Sequence, residues 1–277
     1  MTVKYFNLLL LCMSGKRKFK TGKTPGARNI RVVIAFDGTD YCGWQSQRGA
    51  PSIQDAVSEA IAGITGEEAV SLTGSGRTDS GTHARGLVAN FFTISKIPAA
   101  RIPFALNSKL PSDIRILSAR DAPVDFHARK SAISKIYRYQ IYNGLILPPR
   151  LTREYFHFPY MLDFERMSVA ARLFQGERDF ASFAKTGSGV LNTVRRVFRC
   201  ELRRRGARIY LTVEGNGFLH HMVRNMAGTL LEIGKGRISL SDFAALFEKR
   251  DRTQAGFTAP AHGLILMKVC YTPGWHN

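Results

Sequence analysis

The sequence predicts an α+β fold on a largely antiparallel sheet. Short β-rich runs alternate with amphipathic helical stretches along the 277 residues. Hairpin signals such as Asp37-Gly38 and Gly206 fall between them. The rhythm of the first half returns in the second, and the intervening hairpins favour antiparallel sheet over a run of parallel crossovers.

In chain order, Asn29 to Phe36 is β-rich and stops at Asp37-Gly38. Ser52 to Thr65 reads as a helix. Ser52 caps it, Asp55 sits at the capping-box position, and Ile53, Val57, Ile61 and Ile64 share a face. Glu68 to Leu72 and Leu87 to Thr93 read as strands on either side of a glycine-rich loop. Pro103 to Lys109 reads as a helix and Ile114 to Ser118 as a strand.

A boundary falls near residues 122–131. The expected division is a basic extension over 1–28, an N-terminal half over 29–125 and a C-terminal half over 126–277. In the second half Ala132 to Tyr142 alternates as a strand, and Phe164 to Phe174 is an amphipathic helix ended by Gly176. Val194 to Arg204 and Arg208 to Glu214 form a hairpin turning at Gly206. Leu219 to Ile233 and Leu240 to Glu248 read as helices, and Leu264 to Tyr271 closes as a strand.

Composition narrows the partners. Hydrophobic content of 44% fits a globular protein with a real core. The formal net charge is +19, which favours a polyanion, nucleic acid above all. Residues 1–28 hold seven cations and no acid, so removing them leaves +12 on the rest. That segment is expected to be an extended, poorly ordered tail. Its apolar run Leu8 to Met13 is too short for a membrane span, so no membrane partner is expected. The four cysteines (Cys12, Cys42, Cys200 and Cys270) show no metal or disulfide spacing, which points to free thiols in a reducing cytoplasm. Arg195, Arg196, Arg199, Arg203, Arg204, Arg205 and Arg208 crowd the hairpin with only Glu201 among them, and read as an RNA-facing surface.

The richest stretch is Gly76 to Ala84. It places one acid, Asp79, among Gly74, Ser75, Gly76, Ser80 and Gly81, two residues after Arg77. Such a loop can present a carboxylate to a substrate as nucleophile or base. An Asx-type turn capping its own loop is the structural alternative. Two nucleotide-binding patterns fail. Asp79 stands where the third glycine of a dinucleotide fingerprint belongs, and Arg17 stands where the first glycine of a phosphate loop belongs. Neither NAD nor ATP is expected. His220 and His221 are adjacent, and on a helix they would point about 100° apart, so no metal is expected there. Arg224 on its apolar helix is either snorkelling or paired with a carboxylate.

Four segments in order carry a resemblance. GRTDSGTHARG (Gly76 to Gly86) resembles the GRTDAGVHAxG signature of the tRNA pseudouridine synthases of the TruA family. FDGTDYCGWQSQ (Phe36 to Gln47) resembles its YDGxxYxGWQxQ, KIYRYQIYN (Lys135 to Asn143) its RxYRYxIYN, and GFLHHMVRNMAG (Gly217 to Gly228) its xFLxHMVRNIxG. The departures include Phe36 for tyrosine, Ser80 for alanine and Thr82 for valine. The resemblance implies two ferredoxin-like halves joined into one extended sheet around a central basic cleft. It implies a homodimer acting on the anticodon arm of tRNA, at uridines 38 to 40, with no cofactor.

It further implies a catalytic Asp79, with Arg224 matched against it to hold its charge. Tyr137 would stack on the uracil and assist proton loss from C5. Arg77 would fill the gap left by a flipped base or hold phosphate, and His221 and Leu264 would touch substrate. The charge alone also fits a non-catalytic RNA-binding or ribosome-associated protein, which leaves the Asp79 loop unexplained. A metal-dependent RNA hydrolase lacks the clustered carboxylates it needs.

Overall fold

A computed structural model describes residues 26–68, 70–187 and 189–272. The cations of residues 1–25 and the C-terminal residues 273–277 lie outside the described residues.

The N-terminal half runs β1 (Arg28–Phe36), α1 (Ile53–Thr65), β2 (Thr73–Gly74), β3 (His83–Thr93), α2 (Ile102–Asn107) and β4 (Ile114–Ala122). Alternation in β1 buries Ile30, Val32, Ile34 and Phe36, a pattern that only an extended chain can give. Arg28, within the span read as extension, belongs to β1. It pairs with Asp121 at 3.1 Å and donates to the Ile97 carbonyl. Helix α1 starts as its sequence dictates: the Ser52 hydroxyl oxygen accepts from the Asp55 N–H and donates to the Asp55 carboxylate. Gly66 ends it in the left-handed region.

The C-terminal half runs β5 (Ser134–Tyr142), β6 (Phe156–His157), α3 (Phe164–Leu173), β7 (Gly176–Asp179), β8 (Val194–Arg205), β9 (Arg208–Gly215), α4 (Met222–Gly234), α5 (Leu240–Lys249) and β10 (Leu264–Cys270). Its core is held by Phe174, Phe180, Phe183, Phe243 and Phe247, mostly edge to face.

All strands form one sheet, ordered β4-β1-β3-β10-β5-β9-β8-β7, with β2 on β3 and β6 on β5. Each half is a β-α-β-β-α-β unit of the ferredoxin-like kind. The first places β4, β1, β3 and β2 side by side, and the second places β10, β5, β9 and β8. Pairing is antiparallel except β10 with β3 and β6 with β5. The halves join at β3, whose edge is shared. β10 takes His83 and Ala84, and β2 takes Ala89 and Asn90.

That sharing corrects one expectation. The strand read at Glu68 to Leu72 is only the two-residue β2, beginning after it at Thr73. β7 and β6 were not expected from sequence. Gly176, read as a helix terminator, opens β7 at φ 106°. In the β8–β9 hairpin, Glu201 contacts both Arg199 and Arg203, and Glu214 on the neighbouring strand reaches Arg199 at 4.0 Å. The arginine cluster therefore has two acids within it, not one.

Candidate active site

The Asp79 loop is held by backbone. The Ser75 N–H donates to the Val88 carbonyl, Thr82 to Asp79 and Gly81 to Tyr41. The segment around Phe36 to Trp44 cradles it from beside. A Cβ on Gly43 would strike the Thr78 carbonyl oxygen, and one on Gly38 would strike that of Thr82. The spacing of glycines in that motif is the spacing of two backbones in contact. His83 is part of the same support. Its Nδ1 accepts from the Gly38 N–H and its Nε2 donates to the Arg153 carbonyl, which fixes the tautomer of a structural histidine.

Asp79 is 19% exposed and projects into a cavity of about 980 Å3, large enough for a nucleotide. Arg224 reaches it from the first turn of α4, Nη1 to Oδ2, at 2.6 Å. Arg224 is itself fixed, because its Nε donates 2.7 Å to the Ala259 carbonyl and its own carbonyl accepts from the Ala259 N–H. The pairing alternative read from the sequence is the one adopted.

Two imidazoles complete the setting. His220 Nε2 lies 3.3 Å from Oδ1 and His221 Nε2 3.5 Å from Oδ2. The expectation that adjacent histidines diverge fails here, because neither is inside the helix. α4 begins at Met222, not Leu219, and His221 stands before it at φ 63°. A turn therefore aims both rings at one carboxylate. The three side chains have ligand-type atoms within 4.8 Å of one another and could hold a small cation, although Arg224 already occupies Oδ2. Burial, against the opposing pull of Asp79, lowers the His221 pKa to about 4; Arg224, His220 and Lys185 add to the lowering.

Tyr137 lines the same cavity from β5, buried, with Phe218 edge-on at 5.2 Å. Burial first, then the charge of Asp79, pushes its hydroxyl well above the usual tyrosine range. It is a protonated donor at neutral pH. Tyr139 and Ile141 share its face and are buried, Tyr139 with its hydroxyl on the Pro260 carbonyl.

Of the remaining expected residues, Leu264 opens β10 beside Tyr139 and lines the cavity, as does His221. Arg77 is exposed at the rim, with Nε 3.3 Å from the Gln45 carboxamide oxygen. The structure thus gathers all six sequence-derived site residues around one cavity. Sequence reasoning missed Lys135, Arg129 and Phe218, which line it too. Alternation could have found Lys135, since it shares a strand face with Tyr137. Burial, and then the charge of Arg129, lowers the Lys135 pKa to about 8.

A family model described as tRNA pseudouridine synthase matches residues 32–129 and 170–272. Among curated relatives, a protein named tRNA pseudouridine synthase A from Caldicellulosiruptor saccharolyticus is 47% identical over 88% of this chain and 100% of its own length. Its namesake from Acetivibrio thermocellus is 44% identical over the same shares. Among solved structures, an archaeal box H/ACA sRNP Nop10–Cbf5 complex covers 81% of this chain and 59% of its own at 11% identity and a TM-score of 0.33, too distant to bear on the chemistry. Matched over most of its length, and over the whole length of those relatives, the chain belongs to the tRNA pseudouridine synthase family.

Proposed function

We propose that the chain isomerises uridine to pseudouridine in the anticodon arm of tRNA, at positions 38 to 40, with Asp79 as the group that starts the reaction. The observation that carries this is the Asp79–Arg224 contact, made across 145 residues of sequence inside a nucleotide-sized cavity that Tyr137 faces. The reaction breaks the C1′–N1 bond, turns the base and forms C1′–C5. The C5 proton is lost and N1 gains one, so mass is unchanged. This needs a carboxylate near the sugar and ring, whether it attacks C1′ or C6 or takes a ribose proton. It also needs a wall that confines the detached base. Tyr137 supplies a flat face, and its protonated hydroxyl can take the C5 proton only as its own leaves. Arg77, exposed where it lines the cavity, would fill the space of a flipped base or meet phosphate. No step here calls on a cofactor.

The test is incubation with unmodified tRNA and excess chelator, followed by detection of a mass-silent uridine isomer. Pseudouridine at positions 38 to 40 is the expected product. Asp79→Asn is expected to lower turnover by at least about a thousandfold while tRNA binding persists. Binding without isomerisation by the parent protein would favour the non-catalytic RNA-binding reading. A strict requirement for one metal would overturn the cofactor-free mechanism and bring the His220–His221–Asp79 group forward as its site.

A homodimer sharing one tRNA is part of this proposal. Exposed Leu145, Ile146, Tyr160 and Met161, on loops tied together by the Asn143 side chain, offer apolar surface for it. Sedimentation at micromolar concentration is expected to show a dimer; a fully active monomer would remove it. A cytoplasmic location is proposed from the free thiols of Cys42, Cys200 and Cys270. No helix among the described residues is long and apolar enough to cross a membrane.

A further inference from the structure

We infer that Arg252 is a positioning residue for Asp79. It fixes the strap from Ala255 to Ala259 against α4, and the strap fixes the guanidinium that holds the carboxylate. The inference rests on the reading of Asp79 as the group that starts the reaction.

Arg252 opens a short 3-10 turn just after α5 and is half-buried. Among the described residues its guanidinium bonds only to neutral oxygens. Nη1 donates to the Gly256 carbonyl at 2.8 Å and reaches the Ala255 carbonyl at 3.4 Å. Nη2 donates to Asn225 Oδ1 and to Thr258 Oγ1, each at 3.0 Å. Asp251, next in the chain, turns its carboxylate to Thr253 and Gln254 instead. Thr258 closes the ring by donating to the same Asn225 oxygen at 2.7 Å. Asn225 is fully buried, and its amide donates to the Phe183 carbonyl at 2.7 Å. The strap is pinned to α4 at two further points. The Gly256 N–H donates to Thr229 Oγ1, and the Ala259 N–H to the Arg224 carbonyl. At its far end the Ala259 carbonyl accepts from Arg224 Nε at 2.7 Å, which leaves Nη1 aimed at Asp79 Oδ2. Arg224 and Asn225 are consecutive on the first turn of α4. One strap therefore holds both, Asn225 through Thr258 and Arg252, and Arg224 through Ala259.

Stability alone is a poor account of this arrangement. Burial lowers the Arg252 pKa, and no carboxylate opposes it. A cation drawn partly out of water without a counter-charge contributes little to folding, because it gives up hydration for bonds to neutral oxygens. What the guanidinium supplies is geometry. Its rigid fork ties residues 225, 255, 256 and 258 together, which a flexible apolar side chain cannot do. A shift at Ala259 would carry Arg224 off Asp79, and a misplacement of about 1 Å can cost about a hundredfold in rate.

The test replaces Arg252 by Met, which keeps an apolar stem and loses the donors. Affinity for unmodified tRNA is expected within about twofold of the parent, while the saturated single-turnover rate falls about tenfold or more. Arg224→Lys keeps a cation near Asp79 and lacks the Nε donor to Ala259. In that background Arg252→Met is expected to cost less than about twofold further, because the link it acts through is already gone. A third readout needs no activity. The Nε–H proton of Arg224, identified by its absence from the nitrogen-15 spectrum of Arg224→Lys, is expected to exchange with water about tenfold or more faster in Arg252→Met. A lower melting temperature with a normal rate would show a structural role alone and overturn the inference. So would unchanged proton exchange, or a rate loss that adds in full to that of Arg224→Lys. Should Arg252→Met melt below the assay temperature, Thr258→Val, which removes one hydroxyl from the same ring, is read by the same three measurements with the same outcomes. A parent protein that binds tRNA and never isomerises it would defeat the enzyme reading, and the proton exchange would still decide whether Arg252 positions Arg224.

Discussion

Asp79 shows how much of a site can rest on one carboxylate. A guanidinium and two imidazoles surround its two oxygens, and the rotamer of Arg224 is set by a second bond to Ala259. Tyr137 meets this centre as a protonated phenol, and removing its hydroxyl separates its two roles. Tyr137→Phe keeps the ring against Phe218, so tRNA affinity is expected to hold while turnover falls roughly a hundredfold or more. A fully active Tyr137→Phe would confine the residue to stacking. His221 gives a pH prediction. Its pKa falls from 6.5 to about 4 in the fold, with burial the first cause, so the folded protein holds it neutral while the unfolded chain protonates near 6.5. Between those values the unfolded state binds more protons. The contribution is intact above 6.5 and is lost as pH falls toward 4. The drop in melting temperature from about pH 7.5 to about pH 4.5 is expected to be smaller in His221→Asn than in the parent. Equal drops would mean that the imidazole is not desolvated as its surroundings require.

Helix α4 illustrates how an element positions a site that it only partly contains. It is buried on almost every side, and Gly228 lets the segment around Phe257 lie directly on its backbone. That segment continues to Ala259, which anchors Arg224. A Cβ at 228 would collide with the Phe257 carbonyl oxygen, a backbone atom that cannot swing aside. Gly228→Ala is therefore expected to cost about 1–3 kcal/mol in denaturant unfolding. It should also reduce turnover in the protein that remains folded, because Ala259 moves with Phe257. Lost stability with normal turnover would show that the Arg224 anchor tolerates the shift. The same element explains the convergent histidines. Its first turn has no side-chain cap, and the left-handed His221 makes the turn into it.

At the scale of the molecule, one sheet built from two similar halves puts the Asp79 loop of the first half beside α4 of the second. The parallel β10–β3 pairing is short, two residue pairs, yet it seats Leu264 and Tyr137 on the strands next to the Asp79 loop. Charge acts at this scale as well. The chain carries +19, and residues 1–25 contribute Lys4, Lys16, Arg17, Lys18, Lys20 and Lys23. Deleting those residues leaves Arg28 in β1 with Asp121. The truncated protein is expected to turn over saturating tRNA at the parent rate. Its log–log salt dependence of binding should be flatter, by about 0.9 for each phosphate the segment had neutralised on duplex and somewhat less on single strands. An unchanged slope would mean that the segment never meets the RNA.

Particular residues show how far the sequence reached. The glycine-rich loop by itself also fits an Asx-type turn, and alternation by itself only puts Tyr137 on one face with Tyr139 and Ile141; the family resemblance of the surrounding segments singled out Asp79 and Tyr137. The Ser52 cap and the Gly206 turn were legible without it, since local backbone geometry is written in the residues that adopt it. The sequence by itself determined most of the local elements, the excess of positive charge and which residues stand as candidates for the site. Only tertiary structure decided who meets whom. That β10 would take half an edge of β3 and leave β2 two residues is a competition between segments far apart in the chain. That His220 and His221 converge on Asp79 depends on a helix starting three residues later than periodicity suggests. That Lys135 has no carboxylate partner among the described residues depends on where the fold places every acid around it. Such outcomes follow from long-range packing and from burial, which no local window of residues contains.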